Sequence, residues 1–352
     1  MRGAHRIRSV AFVAVATVAI GAATAAPAQA HERWFVNNAD GGDWGFFFSP
    51  LPLTLTAVVA IAAVAWRMVA LRLPTPELKA LRPLGRLAPW VPRLVAIHLG
   101  VTLLALAATG YLLAPSLPLD DLGSGVGPAV GLFEAALGIW FISGVKLRPA
   151  AAGLAILGPV ALLAAGPVAV LEAAGLLGVA GVVAVMPPTS ARYGAVEPDP
   201  ERVRWAVLAL RVGAAVSLIT LAFSEKFTNP VLAERTLHDY PELNVLAAVG
   251  LPVSDLTFIS IAGAVELLFG LLVLSGALPQ VAVLVAAVPF NATLLIFGQT
   301  ELVGHLPVYA VFLALIVYGS STRTAAAVRW LPSPSDLKAF RPVAARPAQS
   351  AA

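Results

Sequence analysis

The sequence predicts an all-α polytopic membrane protein of about nine transmembrane helices: one extra N-terminal helix after a signal peptide, then two tandem four-helix bundles. Three observations predict it. Of 352 residues, 59% are hydrophobic and only 12% charged, where a soluble domain carries about a quarter charged residues. Apolar runs recur between residues 51 and 320, each near the roughly 20 residues that cross a bilayer. Lys and Arg gather in alternate connectors, as membrane orientation requires. A chain with a mean hydropathy of +0.86 cannot clothe itself in polar groups, so its solvent is mostly lipid. No soluble catalytic domain is expected.

Residues 1–30 read as the signal peptide. Arg2, His5, Arg6 and Arg8 form its basic start, 10–26 its apolar stretch, and Ala28-Gln29-Ala30 its small-residue cleavage site. The alternative is an uncleaved first transmembrane helix. Cleavage leaves His31 as the mature N-terminus, followed by a short external segment, 31–50, ending in Trp44, Phe46, Phe47 and Phe48. The expected spans are 51–71, 92–114, 127–146, 150–167, 168–187, 204–224, 256–277, 280–298 and 303–320.

Arg67, Arg72, Lys79, Arg82, Arg86 and Arg93 place the first connector in the cytoplasm. Asp120 and Asp121, with no basic neighbour, place the next one outside; Lys146 and Arg148 return inside. Arg192, Arg202 and Arg204 are inside again, as are Arg323, Arg329 and Lys338 in the tail. The N-terminus is therefore expected outside and the C-terminus in the cytoplasm. The Ala, Val, Pro and Arg bias fits a high-GC bacterium, hence the bacterial cytoplasmic (inner) membrane. Residues 225–255 are too polar to cross and form an outer connector with segments fit to lie along the interface. The tail, 322–352, is rich in Pro, Ala and Arg and is expected to be disordered.

The chain also repeats itself. Gly131, Glu134, Gly138, Ser143 and Gly144 hold the same relative places as Gly263, Glu266, Gly270, Ser275 and Gly276. Further on, Glu172-Ala-Ala-Gly175 matches Glu301-Leu-Val-Gly304. The spans thus group into bundles at 92–187 and 204–320, in the same orientation. Glu and Gly four apart share a helix face, and small residues mark packing seams in membranes. Glu134 and Glu266 should therefore point into their bundles.

Composition removes several chemistries. A net charge of +4 and a pI near 9.7 would suit nucleic acid, yet the basic residues form no soluble face, so none is expected as a partner. The chain has no cysteine, which removes disulfides, dithiol relays, iron–sulfur clusters and thiolate zinc sites. Electron handling would need an organic cofactor, a haem without cysteine ligands, or a partner subunit.

Ionisable groups inside a membrane are costly and mark candidate sites. Glu134 and Glu266 fall in the outer halves of their spans. Glu172, Glu225, Glu301 and His305 fall near the outer ends of theirs. Arg211 lies within 204–224, toward the cytoplasmic side. The second bundle thus gathers Arg211, Glu225, Lys226, Glu266, Glu301 and His305. A polar cavity open to the outside, able to bind a polar head group or relay protons, is one reading. The bland reading is that each carboxyl is neutral, or paired with Arg211 or Lys226, and fixes helix register. Glu301 and His305, four residues apart, share one helical face and can share a proton or a metal. The first bundle, with Ala107 matching Glu225 and Leu176 matching His305, looks stripped of polar groups. His31, as a mature N-terminus, offers an amine and an imidazole together, a copper(II) chelate, though the favoured reading is that it is simply the first residue after cleavage.

At Arg211, Ser224-Glu225-Lys226-Phe227 with Pro230, and Gly263-Ala-Val-Glu266-Leu-Leu-Phe-Gly270, the chain resembles the DoxX-like family of small four-helix membrane proteins. The resemblance covers 205–320 well, with 92–187 as a degenerate copy. It implies a four-helix fold and, through relatives that are subunits of thiosulfate:quinone oxidoreductase or other membrane redox complexes, a quinone and a partner redox subunit. The duplication, the extra helix and the His31 segment depart from the single-bundle pattern. The leading expectation is a quinone-linked membrane subunit in which Glu266 and Glu301 exchange protons, His305 bonds a quinone oxygen and Arg211 balances charge. A non-catalytic scaffold and an outward-facing carrier or metal-handling protein are the alternatives.

Overall fold

The structure, a computed structural model, describes residues 42–189, 192–251 and 253–339. The signal peptide, His31 and the end of the tail lie outside the described residues.

Apolar runs become helices where the chain must satisfy its own backbone inside lipid. α1 (Pro50–Ala70) begins with proline in its first turn. A 3-10 stretch, Lys79–Trp90, leads into α2 (Val91–Thr109). The span expected to reach residue 114 stops at Thr109, because Gly110 turns left-handed (φ 85°) and a small hairpin follows. Its strands are β1 (Tyr111–Leu112) and β2 (Ala114–Pro118). α3 (Val126–Ser143), α4 (Leu147–Glu172) and α5 (Ala174–Val185) come next. α6 (Pro200–Leu221), capped by Asp199 on the Arg202 amide, runs on into a π-helical turn, Ala222–Phe227. The connector after that turn forms α7 (Pro230–Asp239). α8 (Asp255–Ser275), α9 (Pro279–Ser320) and α10 (Ala325–Arg329) complete the order.

Among the described residues, eight helices are long and apolar enough to cross a membrane, against about nine expected. The difference lies at 168–187. α4 breaks at Gly166 (φ 78°, ψ −175°), just before Pro167, and ends at Glu172, which leaves α5 only 12 residues. α9 breaks in the same manner at Gly298 (φ 66°, ψ −138°). Both conformations are open to glycine and strained for any residue with a Cβ.

The bundle is knitted crosswise. α5 lies along α6, α9 packs on α2, and α8 sits against α1 and α6. The α5–α6 seam is backbone-close: a Cβ on Gly213 would come within 2.5 Å of the Ala174 carbonyl oxygen and 2.7 Å of Gly178 Cα. Small residues permit this approach, which strengthens dispersion where lipid removes the hydrophobic drive.

One end of the bundle is held by arginines that donate to the carbonyls closing other helices. Arg93 reaches Phe141 and Ile142 at the end of α3, and Arg148 reaches Ala184 near the end of α5. Arg67 donates to Ser275 and Arg329. Arg211 donates to Val273 and Leu274 at the end of α8, and to Val328 in the last turn of α10 and Trp330 just after it. These are the orphan acceptors of helix C-termini, where a cation also meets the negative pole of the dipole. Arg93 and Arg211 act alike: each engages the carbonyls three and two residues before a left-handed glycine, Gly144 or Gly276.

The tail expected to be disordered from residue 322 therefore starts otherwise. α10 is buried at Ala325, Ala327 and Val328, because Arg211 and Arg67 need its terminal carbonyls. Arg329 extends the same end, donating to Ala70, Leu73 and Pro74 and pairing with Glu77 at 3.0 Å. Burial pushes the Glu77 carboxyl above its usual range, and the Arg329 guanidinium opposes that push.

Candidate functional site

At the other end, beside the hairpin and α7, a cavity of about 680 Å³ opens between the helices. Its walls are largely Leu, Val, Ile, Ala and Phe. Glu172, Glu225, Lys226, Glu266, Glu301 and His305 supply its charged or titratable groups.

The π turn that ends α6 places two of them. Thr228 donates both its amide and its hydroxyl to the Phe223 carbonyl, five residues back. The wider turn brings Glu225 and Lys226 to the cavity together, as π turns often do at functional sites. Lys226 Nζ lies 3.1 Å from Glu266 Oε2 and 3.8 Å from Glu225 Oε2. Phe227 anchors the turn, fully buried among Phe47 and Phe223.

Glu172 comes from the end of α4, yet its carboxylate faces the same cavity. Ser116 of β2 and Ser224 of the π turn donate to its two oxygens, at 2.7 and 2.8 Å. The Ser217 hydroxyl donates to its backbone carbonyl. One carboxylate thus ties the hairpin, α4 and α6 together. Glu172→Leu strands two hydroxyls and is expected to lower unfolding stability in detergent by about 1–3 kcal/mol. Glu172→Gln keeps an acceptor oxygen and should lose less; equal losses would contradict this role.

Glu301 and His305 open the second segment of α9, after the Gly298 break. His305 Nε2 lies 3.1 Å from Glu301 Oε1, as a spacing of four on one helix permits. Phe290 and Tyr309 stand edge-on to the imidazole, with ring centroids 4.8 and 6.0 Å away. Glu301 and His305 are 5% and 8% exposed. Glu301 Oε2 and His305 Nδ1 are buried and make no well-formed hydrogen bond among the described residues, with the Thr293 side chain beside Glu301 and the Phe290 backbone beside His305 as their polar neighbours. Leaving such an atom unsatisfied costs about 1–3 kcal/mol, so each calls for an explanation.

The remaining candidates fall elsewhere. Arg211, grouped with the second bundle's polar residues from sequence, is spent at the opposite end on helix termini, so its bonds do not balance the cavity's carboxylates. Glu134 is fully buried but does not line the cavity; its Oε1 accepts the Leu113 amide at 2.9 Å and so holds the hairpin. His31 lies outside the described residues. Among those residues no group of three or more His, Cys, Asp or Glu is arranged to hold a metal. Sequence reasoning missed Ser116, Ser217, Phe290 and Tyr309, which carry no local signal. It quoted Ser224 only as part of a motif.

These features define an integral membrane helical protein with an amphipathic cavity. No protein family, curated protein or solved structure matches the chain.

Proposed function

We propose that this is a membrane subunit of a quinone-linked redox system, with the quinone head group held at Glu301 and His305. The observation that carries the reading is the pair of buried polar atoms without a well-formed hydrogen bond, Glu301 Oε2 and His305 Nδ1, at the edge of a mostly apolar cavity. Small-molecule sites are typically apolar with a few convergent polar groups. A quinone fits this donor set, since its ring is apolar and its two oxygens accept hydrogen bonds. When bound it supplies two-electron, two-proton chemistry. His305 would donate to a quinone oxygen, and Glu301 would hold or release the proton across its bond to Nε2. Lys226, between Glu225 and Glu266, would keep the net charge beside the ring small. The resemblance to DoxX-like proteins supports the same reading, with a partner redox subunit and the cavity at the outer face of a bacterial cytoplasmic membrane.

The test is a titration of the detergent-purified protein with a quinone analogue. Binding is expected, and His305→Ala or Glu301→Gln should each weaken it about tenfold, the loss of one good hydrogen bond. No binding, or binding unchanged in both variants, ends the proposal. A non-catalytic scaffold is the second reading, favoured by the ion pairs that already occupy Lys226. Under it, Glu→Gln changes lower stability and leave redox activity of the membrane intact.

A further inference from the structure

We propose that the ligand reaches the cavity sideways from the lipid, through a portal between α8 and the first segment of α9, and that its tail stays in that portal. This rests on the quinone reading and narrows it to ligands with a long apolar tail. Phe258, Ala262 and Val265 of α8, and Val288, Ala292 and Ile296 of α9, all line the cavity. Their spacings of three and four put each set on one helical face. Val265 and Val288 are nevertheless 40% and 69% exposed, and Ala292 is exposed too. Lining residues left this accessible mark a gap in the cavity wall.

The opening is at lipid depth. Val265 lies ten residues into α8, counted from Asp255, about 15 Å down at 1.5 Å per residue. That is near the middle of a hydrocarbon core about 30 Å thick. α8 packs on α1 and α6 rather than closing against α9, although the two helices are consecutive. A rim made of Val and Ala at that depth offers nothing to a water-soluble ligand and is matched to an acyl or isoprenoid chain. Glu266, next to Val265, faces the cavity, so the passage runs from an apolar rim to a polar interior within one helical turn.

The experiment uses the full chain in nanodiscs and two probes: a quinone with a long isoprenoid tail, and the same head group without a tail. Val288→Trp and Val265→Trp are expected to slow association of the tailed quinone by about tenfold or more and to leave the tailless one unchanged. Leu163→Trp, on α4, 89% exposed and outside the cavity lining, should change neither rate. Equal slowing of both probes, or of neither, overturns the portal. So does slowing of the tailed quinone by Leu246→Trp on the connector between α7 and α8 in place of the portal variants. Failure of the wild-type chain to bind either probe instead removes the quinone reading on which the portal rests.

Discussion

Replacing Arg211 with methionine is expected to cost about 3–5 kcal/mol, because four backbone carbonyls lose a charged donor at about 1–3 kcal/mol for each that stays buried and unsatisfied. The loss should appear as a lower unfolding midpoint in detergent, with the membrane-inserted yield falling in parallel. Arg211 is fully buried, and its guanidinium joins two helix ends, the carbonyls closing α8 and those of Val328 and Trp330 at the end of α10. Methionine fills similar volume but leaves those acceptors bare. Arg211→Lys should recover only part of the loss, because an ammonium lacks the planar fork that reaches both ends. Arg93→Met, which releases the end of α3 alone, should cost less than Arg211→Met. A methionine variant as stable as the wild type would show that water replaces the arginine without penalty.

Gly213→Leu is expected to be nearly as damaging, at about 3 kcal/mol or more. The nearest atoms to a Cβ there are backbone atoms of Ala174 and Gly178, which cannot swing aside as a side chain does. α5 and α6 would have to separate, and Glu172 would lose its grip on Ser217 and Ser224. Stability and quinone-analogue binding should therefore fall together. Val212→Leu, at an exposed neighbouring position, provides the control and should leave both unchanged. Retention of binding by Gly213→Leu would separate the seam from the cavity.

The spans were legible because lipid enforces their length and polarity, and eight of nine formed where the apolar runs stood. The ninth run is apolar enough, but Gly166-Pro167 and Glu172 interrupt its backbone, a conflict that a count of hydrophobic residues does not register. Glu301 and His305 were legible as a pair because their contact is within one helix. Glu172 with Ser116 and Ser224 was not, since those partners are 56 and 52 residues away. Arg211 shows the limit most clearly. Its place among the second bundle's polar residues suggested charge balance, although its depth toward the other end of α6 already set it apart from them; there it is spent on helix ends. Glu134 and Glu266 share a motif and diverge in their partners: one meets a hairpin amide, the other Lys226.

The arginines that close helix ends are thereby taken out of circulation. Arg67, Arg93, Arg148, Arg211 and Arg329 spend their donors on backbone carbonyls, while Arg72, Lys79, Arg82 and Arg86 remain exposed around the 3-10 stretch before α2. The exposed cations thus form a collar on one short connector, and the bonded arginines a set of rivets. Salt that screens the collar leaves the hydrogen-bonded rivets in place.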